Sequence, residues 1–363
     1  MKGLYIHIPF CASICSYCDF PKEIAKEGKK EVYMHRLIEE IQTYKEELTD
    51  IRSVYIGGGT PNALNLALLE KLLKTIEPYL LSSKENTIEI NTELFTEDQV
   101  KLFKKYHINR VSLGVQTFQS HLLTKIRRKH TKEMVHQTIS VLRSYEITNI
   151  NLDMMYGLPG QTMEDIQADL TEILSLNVPH ISYYSLILEE KTLLEYQFKH
   201  HQLTIPEDDL VADMALYINQ VLKKNMFKHY EISNYAKEGY ASIHNLGYWD
   251  TEPYIGVGAG ACGYLNHKRY QNHKNITAYF HTYKASEDRI DLQEAKKEFM
   301  MLGLRKMDGI HSSTYFARFK TYPRDDFDID KLLKLGLIEE KNDVICLKED
   351  KFLIANVVFE EFV

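Results

Sequence analysis

YIHIPFCASICSYCDF, Tyr5–Phe20, runs from a short apolar stretch into a loop that holds three of the chain's five cysteines. Leu4–Ile8 is rich in aromatic and β-branched residues and reads as a strand; Pro9 then favours a loop over a continuing element. The thiols Cys11, Cys15 and Cys18 follow with spacing C-x3-C-x2-C. Offsets of four and seven would also align three thiols on a helix face, although Pro9 and the preceding strand speak for a loop. A structural zinc ion takes four protein ligands, and only three thiols are present, with His7 of the strand as the candidate fourth. An iron–sulfur cluster is the third reading. Thiolates are its usual ligands, and three of them on four irons leave one metal position open to a small molecule.

Outward from this stretch the first half alternates strand and helix. Ser53–Gly57, Thr87–Asn91, Arg110–Val115, Ile150–Gly157 and His180–Leu186 read as further strands. Between them lie helical patterns; in EVYMHRLIEEIQTYKEEL, Val32, Leu37, Ile41, Tyr44 and Leu48 fall on one face. Six such units predict an α/β fold with a parallel sheet, read as a partial (βα)6 barrel over residues 1–205, with a doubly wound open sheet as the runner-up. In either, a site forms at the carboxyl ends of the strands. An extension over 206–290 opens with a helix at PEDDLVADMALYINQVLKK and continues through a Gly- and Tyr-rich region. Residues 291–363 read as an α+β unit resembling a winged helix: a helix at KLLKLGLIEE, a strand pair around VICLKE with Cys346 as a core residue, and a last apolar segment. The acidic runs DDFDID and FEEF make that unit a structural or partner-docking module and not a DNA reader.

Composition narrows the class. Apolar residues at 44% and charged residues at 26% are those of a globular protein, and a net charge of −7 argues against nucleic acid as partner. No apolar run approaches the roughly 18 residues of a membrane span. With no apolar signal core at its start, the chain is expected in the cytoplasm, where thiols stay reduced and serve metals or catalysis before disulfides.

The strand ends carry polar residues. GGGTP, Gly57–Pro61, lets backbone approach a ligand at the end of the second strand. Glu89 lies in the third strand, Gln116 ends the fourth, Arg128 follows in IRRKH, and Asp153 is in the fifth. Singly each reads as a satisfied surface or barrel-layer polar group; together they line one rim of the expected barrel.

C-x3-C-x2-C with an aromatic before its last cysteine resembles the signature of the radical S-adenosylmethionine (SAM) superfamily. The likeness implies a [4Fe-4S] cluster on Cys11, Cys15 and Cys18, with SAM on the open iron. There an electron from the cluster cleaves the sulfonium to methionine and a 5'-deoxyadenosyl radical. YIHIPFC, GGGTP, RVSLGVQTF and DMMYGLPGQT, in this order, are similar to the branch that contains oxygen-independent coproporphyrinogen III oxidase, over about Tyr5 to Tyr270. By that resemblance SAM contacts fall on Tyr5, Tyr17, Gly58, Gly59, Thr60, Glu89, Gln116, Arg128, Asp153 and Ile187.

Two departures separate the chain from the oxidase. Phe20 stands where the oxidase has a fourth cysteine, and only ten residues precede Cys11 where the oxidase has a sizeable arm. Both point to a sister group of heme chaperones without coproporphyrinogen dehydrogenase activity. HNLGYW, His244–Trp249, fits the H-N-x-x-Y-W pattern associated there with heme. Imidazole is a common axial ligand, and Tyr248 and Trp249 offer flat apolar surface to a porphyrin. Read from residues alone, His244, Asn245 and Gly247 equally describe a turn with a capping histidine. Cys262 is a less specific thiolate alternative, and HYEISNY, His229–Tyr235, either neighbours heme or closes the barrel. The resemblance implies as partners heme, heme-acceptor proteins such as those of respiratory membranes, an electron donor if SAM is cleaved, and at most peripheral membrane contact.

Overall fold

A computed structural model describes residues 2–363. Six parallel strands form its centre: β1 (Lys2–Ile8), β2 (Ile51–Gly58), β3 (Glu85–Asn91), β4 (Arg110–Gln116), β5 (Asn149–Tyr156) and β6 (His180–Ser185). They lie side by side in chain order. A doubly wound sheet reverses its order at a switch point; this one does not, so the sheet is a partial barrel with its helices on one face. Side chains alternate accordingly. Ile6, Ile8, Val54, Ile56, Ile88, Val111, Leu113, Leu152 and Ile181 share one core with Leu37, Leu72, Phe103, Ile139 and Leu170 of the crossover helices. The alternate residues, among them Tyr5, Tyr55, Glu89, Ser112, Asn151 and Asp153, take the other face. Strand periodicity thus separates a packed outer face from a polar inner one.

The sheet does not end at six strands. At the β6 edge a hairpin of β7 (Lys228–Glu231) and β8 (Asn234–Ala236) pairs antiparallel, so HYEISNY closes that side. At the other edge β9 (Tyr254–Val257) lies parallel to β1. It is followed by antiparallel β10 (Cys262–Leu265), β11 (Lys268–Asn272) and β12 (Lys284–Arg289). Glu40 clamps this addition to the barrel: in helix Glu27–Thr43, it accepts from Asn272 Nδ2 (2.7 Å), Gly258 N (2.8 Å) and Tyr279 Oη (2.5 Å). With its acceptors filled, a fully buried carboxylate becomes tolerable. The same helix corrects one expectation. Val32 is exposed, and Tyr33, Met34, Leu37 and Ile41 form the buried stripe, because the helix ends at Thr43 and packs one residue further round than Val32 would need.

The last part builds its own core from Phe299, Met300, Tyr315, Ile329, Leu332, Ile345 and Leu347. Helix Leu292–Gly303, β13 (Ile310–His311), helices Ser312–Phe319 and Ile329–Lys334, and the hairpin β14 (Ile338–Lys341) and β15 (Val344–Leu347) follow in winged-helix order. The helix expected over KLLKLGLIEE, however, stops at Lys334, where Gly336 at φ 68° turns the chain into β14. Cys346 is not a core residue: strand alternation turns Ile345 and Leu347 inward and leaves it half-buried near Glu339. Among the described residues no helix is long and apolar enough to cross a membrane.

Candidate functional site

The cysteine loop is pinned at both ends. Cys11 N donates to Glu23 O (3.1 Å), Glu23 N to Pro9 O (2.7 Å), and Ser16 N to Ile126 O (3.2 Å). The segment is a loop with one turn at Cys15–Cys18, not a helix. His7 takes no part in it, because Nδ1 faces Tyr5 Oη (2.9 Å) and Nε2 faces Pro21 O (3.0 Å). The three thiols face one cavity of about 460 Å³ at the carboxyl ends of the strands. Burial raises the Cys11 and Cys18 thiols above their ordinary range. Three soft donors spread around a chamber, with no imidazole among them, suit a multi-iron cluster.

Tyr17, Gly58, Gly59, Thr60, Glu89, Gln116, Arg128, Asp153 and Ile187 line the same cavity. Tyr5 does not: it lies level with Tyr55 in the β1–β2 register, ring centroids 6.2 Å apart, with its hydroxyl on His7, and Tyr55 takes the lining position. The glycines are needed for close approach. Gly58 has φ 109°, and a Cβ there would meet the His7 ring at 2.4 Å; at Gly59 it would meet Ile8 O at 2.8 Å. Asn91, overlooked in the sequence, is the hub. It donates to Thr60 Oγ1 (3.1 Å) and accepts from Arg128 Nη1 (2.9 Å), while Thr60 donates to Cys11 Sγ (3.6 Å). Its signal was its place at the carboxyl end of TIEIN, two residues past Glu89. Arg128 Nη2 also donates to Gly114 O (2.7 Å) and lies 3.5 Å from Glu93.

Gln116 shows most directly that the chamber is built for a ligand. A register shift after Gly114 and a φ of 63° re-aim it into the cavity. Its Oε1 is buried without a partner, as is Arg128 Nε. Buried polar atoms without a partner are costly, and these two belong to residues of the chamber wall. The carboxylates are equally unusual. Glu89 accepts from Tyr55 Oη (2.7 Å) and Gly58 N (3.0 Å), yet burial and then the nearby Asp153 push it up to about 7. Asp153, bonded by Ser112 (2.7 Å) and Asn151 (2.8 Å), is also raised by burial.

A carboxyl raised on folding opposes stability once pH exceeds its unfolded value near 4.5, and the cost is complete above about 7. Glu89→Gln is therefore expected to stabilise the ligand-free protein at pH 8 by about 1–3 kcal/mol while weakening binding in the chamber. The stability gain should vanish below pH 4.5. Urea unfolding at the two pH values checks it, and equal midpoints for both proteins at pH 8 would refute the assignment.

HNLGYW lies at the opposite end of the barrel. It forms helix Ile243–Trp249, capped by Ser242 and set against the amino ends of β1–β3. Glu85 accepts from Ile243 N (3.0 Å), His244 N (3.0 Å) and Ser242 Oγ (3.3 Å). Asn245 N closes the cap on Ser242 Oγ (3.3 Å). The expectation that His244 presents a free imidazole meets a physical obstacle. The ring is buried, with Nδ1 on Ser53 Oγ (2.8 Å) and Nε2 on Tyr248 Oη (2.8 Å), and stacks on Tyr55 at 5.0 Å. Burial, then the Arg110 charge, lowers its pKa to about 3. Tyr248 and Trp249 instead line a separate cavity, and Cys262, half-buried, lines neither cavity.

The Radical SAM superfamily matches residues 5–173. Over 99% of this chain and 97% of the relative, the sequence is 39% identical to "Heme chaperone HemW" of Lactococcus lactis. The chain belongs to the HemW family. The HemW protein of Bacillus subtilis is 35% identical over 100% of this chain and 99% of its own. Among solved structures, the radical SAM enzyme coproporphyrinogen III oxidase (HemN) of Escherichia coli superposes with a TM-score of 0.86. It covers 99% of this chain and 89% of that one at 20% identity, a likeness of fold. Membership of HemW in the radical SAM superfamily implies a [4Fe-4S] cluster and SAM as cofactors.

Proposed function

We propose that this protein is a heme chaperone that carries a [4Fe-4S] cluster on Cys11, Cys15 and Cys18, holds exchangeable SAM beside it, and passes heme to acceptor proteins. The observation that carries the cofactor half is the single chamber uniting three thiols with the orphaned Gln116 and Arg128 atoms. When bound, the cluster supplies an electron to the SAM sulfonium. The chain's own residues do the holding. Gly58, Gly59 and Thr60 approach with backbone and hydroxyl, and Gln116 and Arg128 serve the amino-acid end. Glu89 and Asp153 accept from hydroxyls, and Tyr17 and Ile187 flank the base, with Tyr5 acting through Tyr55. In HNLGYW, Tyr248 and Trp249 face heme, and His244 and Asn245 fix the helix that presents them.

Heme carriage rests on the relatives' name and on Phe20, an exposed phenylalanine at the mouth where the oxidase has a thiol. The test is direct. Anaerobically reconstituted protein titrated with hemin is expected to give a Soret band saturating near one heme per chain. With coproporphyrinogen III, SAM and a reductant it should form no protoporphyrinogen. Product formation would return the oxidase reading, and the absence of a Soret band would remove the chaperone reading.

A further inference from the structure

We infer that the cofactor chamber and helix Ile243–Trp249 are coupled through the barrel interior, by a one-way hydrogen-bond chain from Ser242 to Asp153; this rests on the SAM-holding reading above. Asp153 lines the chamber. Asn151 Nδ2 donates to it (2.8 Å), and Asn151 Oδ1 faces His180 Nδ1 (2.6 Å). His180 Nε2 faces Tyr230 Oη (2.8 Å), and that hydroxyl accepts from the amide of Ser242 (3.2 Å), the N-cap of the helix. Asn151, His180, Tyr230 and Ser242 are all buried, so each bond acts in a low-dielectric interior.

Every donor in the chain points toward the chamber. A carboxylate only accepts, which sets the Asn151 amide with Nδ2 toward Asp153. The amide oxygen then takes the proton on His180 Nδ1. Burial, then the Arg110 charge, lowers the His180 pKa well below its ordinary value, so the ring is neutral and Nε2 accepts. It takes the Tyr230 hydroxyl proton and leaves the phenol oxygen to the Ser242 amide. Bonds aligned head to tail polarise one another. A ligand hydroxyl donated to Asp153 favours the ionised carboxylate, the stronger acceptor, and so tightens the cap at the far end. A second contact runs alongside. Tyr55, whose hydroxyl meets Glu89 on the chamber wall, stacks on His244 of the same helix. Coupling of this kind is reciprocal, so whatever tightens the helix also tightens SAM.

Hydrogen exchange of the cluster-loaded protein with and without SAM tests this, in wild type, Tyr230→Phe and His180→Phe. Glu85 still holds the start of the helix in both variants. In wild type, SAM is expected to slow exchange of the Ile243–Trp249 amides about tenfold. In either variant the slowing should fall below about twofold with SAM still bound. SAM bound to wild type without slowing, or undiminished slowing in a folded variant, would overturn the coupling and leave the cofactor reading standing. If wild type binds no SAM, both fall.

Discussion

Cys15→Ala is expected to abolish the cluster, taking iron from about four per chain to almost none. The backbone that positions this sulfur does not depend on it. Cys18 N bonds to the Cys15 carbonyl (3.4 Å), and Ser16 is fastened to Ile126 O and, through Oγ, to Lys125 O (3.3 Å). Alanine keeps all of these, so the loop stays while its central donor leaves. Arg128 Nη1, 4.0 Å from Cys15 Sγ, then faces a methyl group. Two remaining thiolates cannot hold a cube whose fourth iron is already without a protein sulfur, and serine would offer a harder, less acidic oxygen that does not substitute. Iron and sulfide assays with the visible spectrum after anaerobic reconstitution give the result. Full iron in the variant would mean that the cluster is bound elsewhere, and the cofactor assignment would fail with it.

Glu85→Leu carries the largest expected cost in stability, about 3–5 kcal/mol. Glu85 and Arg110 are both nearly inaccessible, with Nε 4.0 Å from Oε2. Removing the carboxylate strands the guanidinium and leaves the amides of Ile243 and His244 without acceptors at the start of the motif helix. That is a large share of the total stability of a domain. The double variant Glu85→Leu, Arg110→Met is expected to recover part of the loss, because neither buried charge then lacks its partner. Urea midpoints for the two single variants and the double variant measure it. A loss below about 1 kcal/mol for Glu85→Leu would show that water, and not this ion pair, satisfies the floor of the barrel. Because that floor fixes Tyr248 and Trp249, heme binding should fall along with stability.

The cofactor half of the molecule was readable because its residues lie in local patterns. Short β-branched and aromatic runs gave the strands, and C-x3-C-x2-C and GGGTP lie at the carboxyl ends of β1 and β2, where a parallel barrel gathers its loops. Asn91 escaped notice because one asparagine after a strand is an ordinary turn residue until Arg128 and Thr60 arrive from distant segments. Tyr5 was misplaced because its hydroxyl turns to His7 and its neighbour in register, Tyr55, takes the chamber wall, which periodicity along a strand does not resolve.

The amino-acid order alone put Glu89, Gln116 and Asp153 in or at the ends of strands and three thiols in one loop, since strand periods and a loop of eight residues are short-range properties. Tertiary structure alone decided that β9 pairs with β1 some 250 residues away, that Glu40 seals the join, and that His244 is a hydrogen-bonded floor residue. A histidine's chemistry depends on what surrounds its two nitrogens, and here those neighbours, Ser53 among them, come from parts of the chain that only packing brings together.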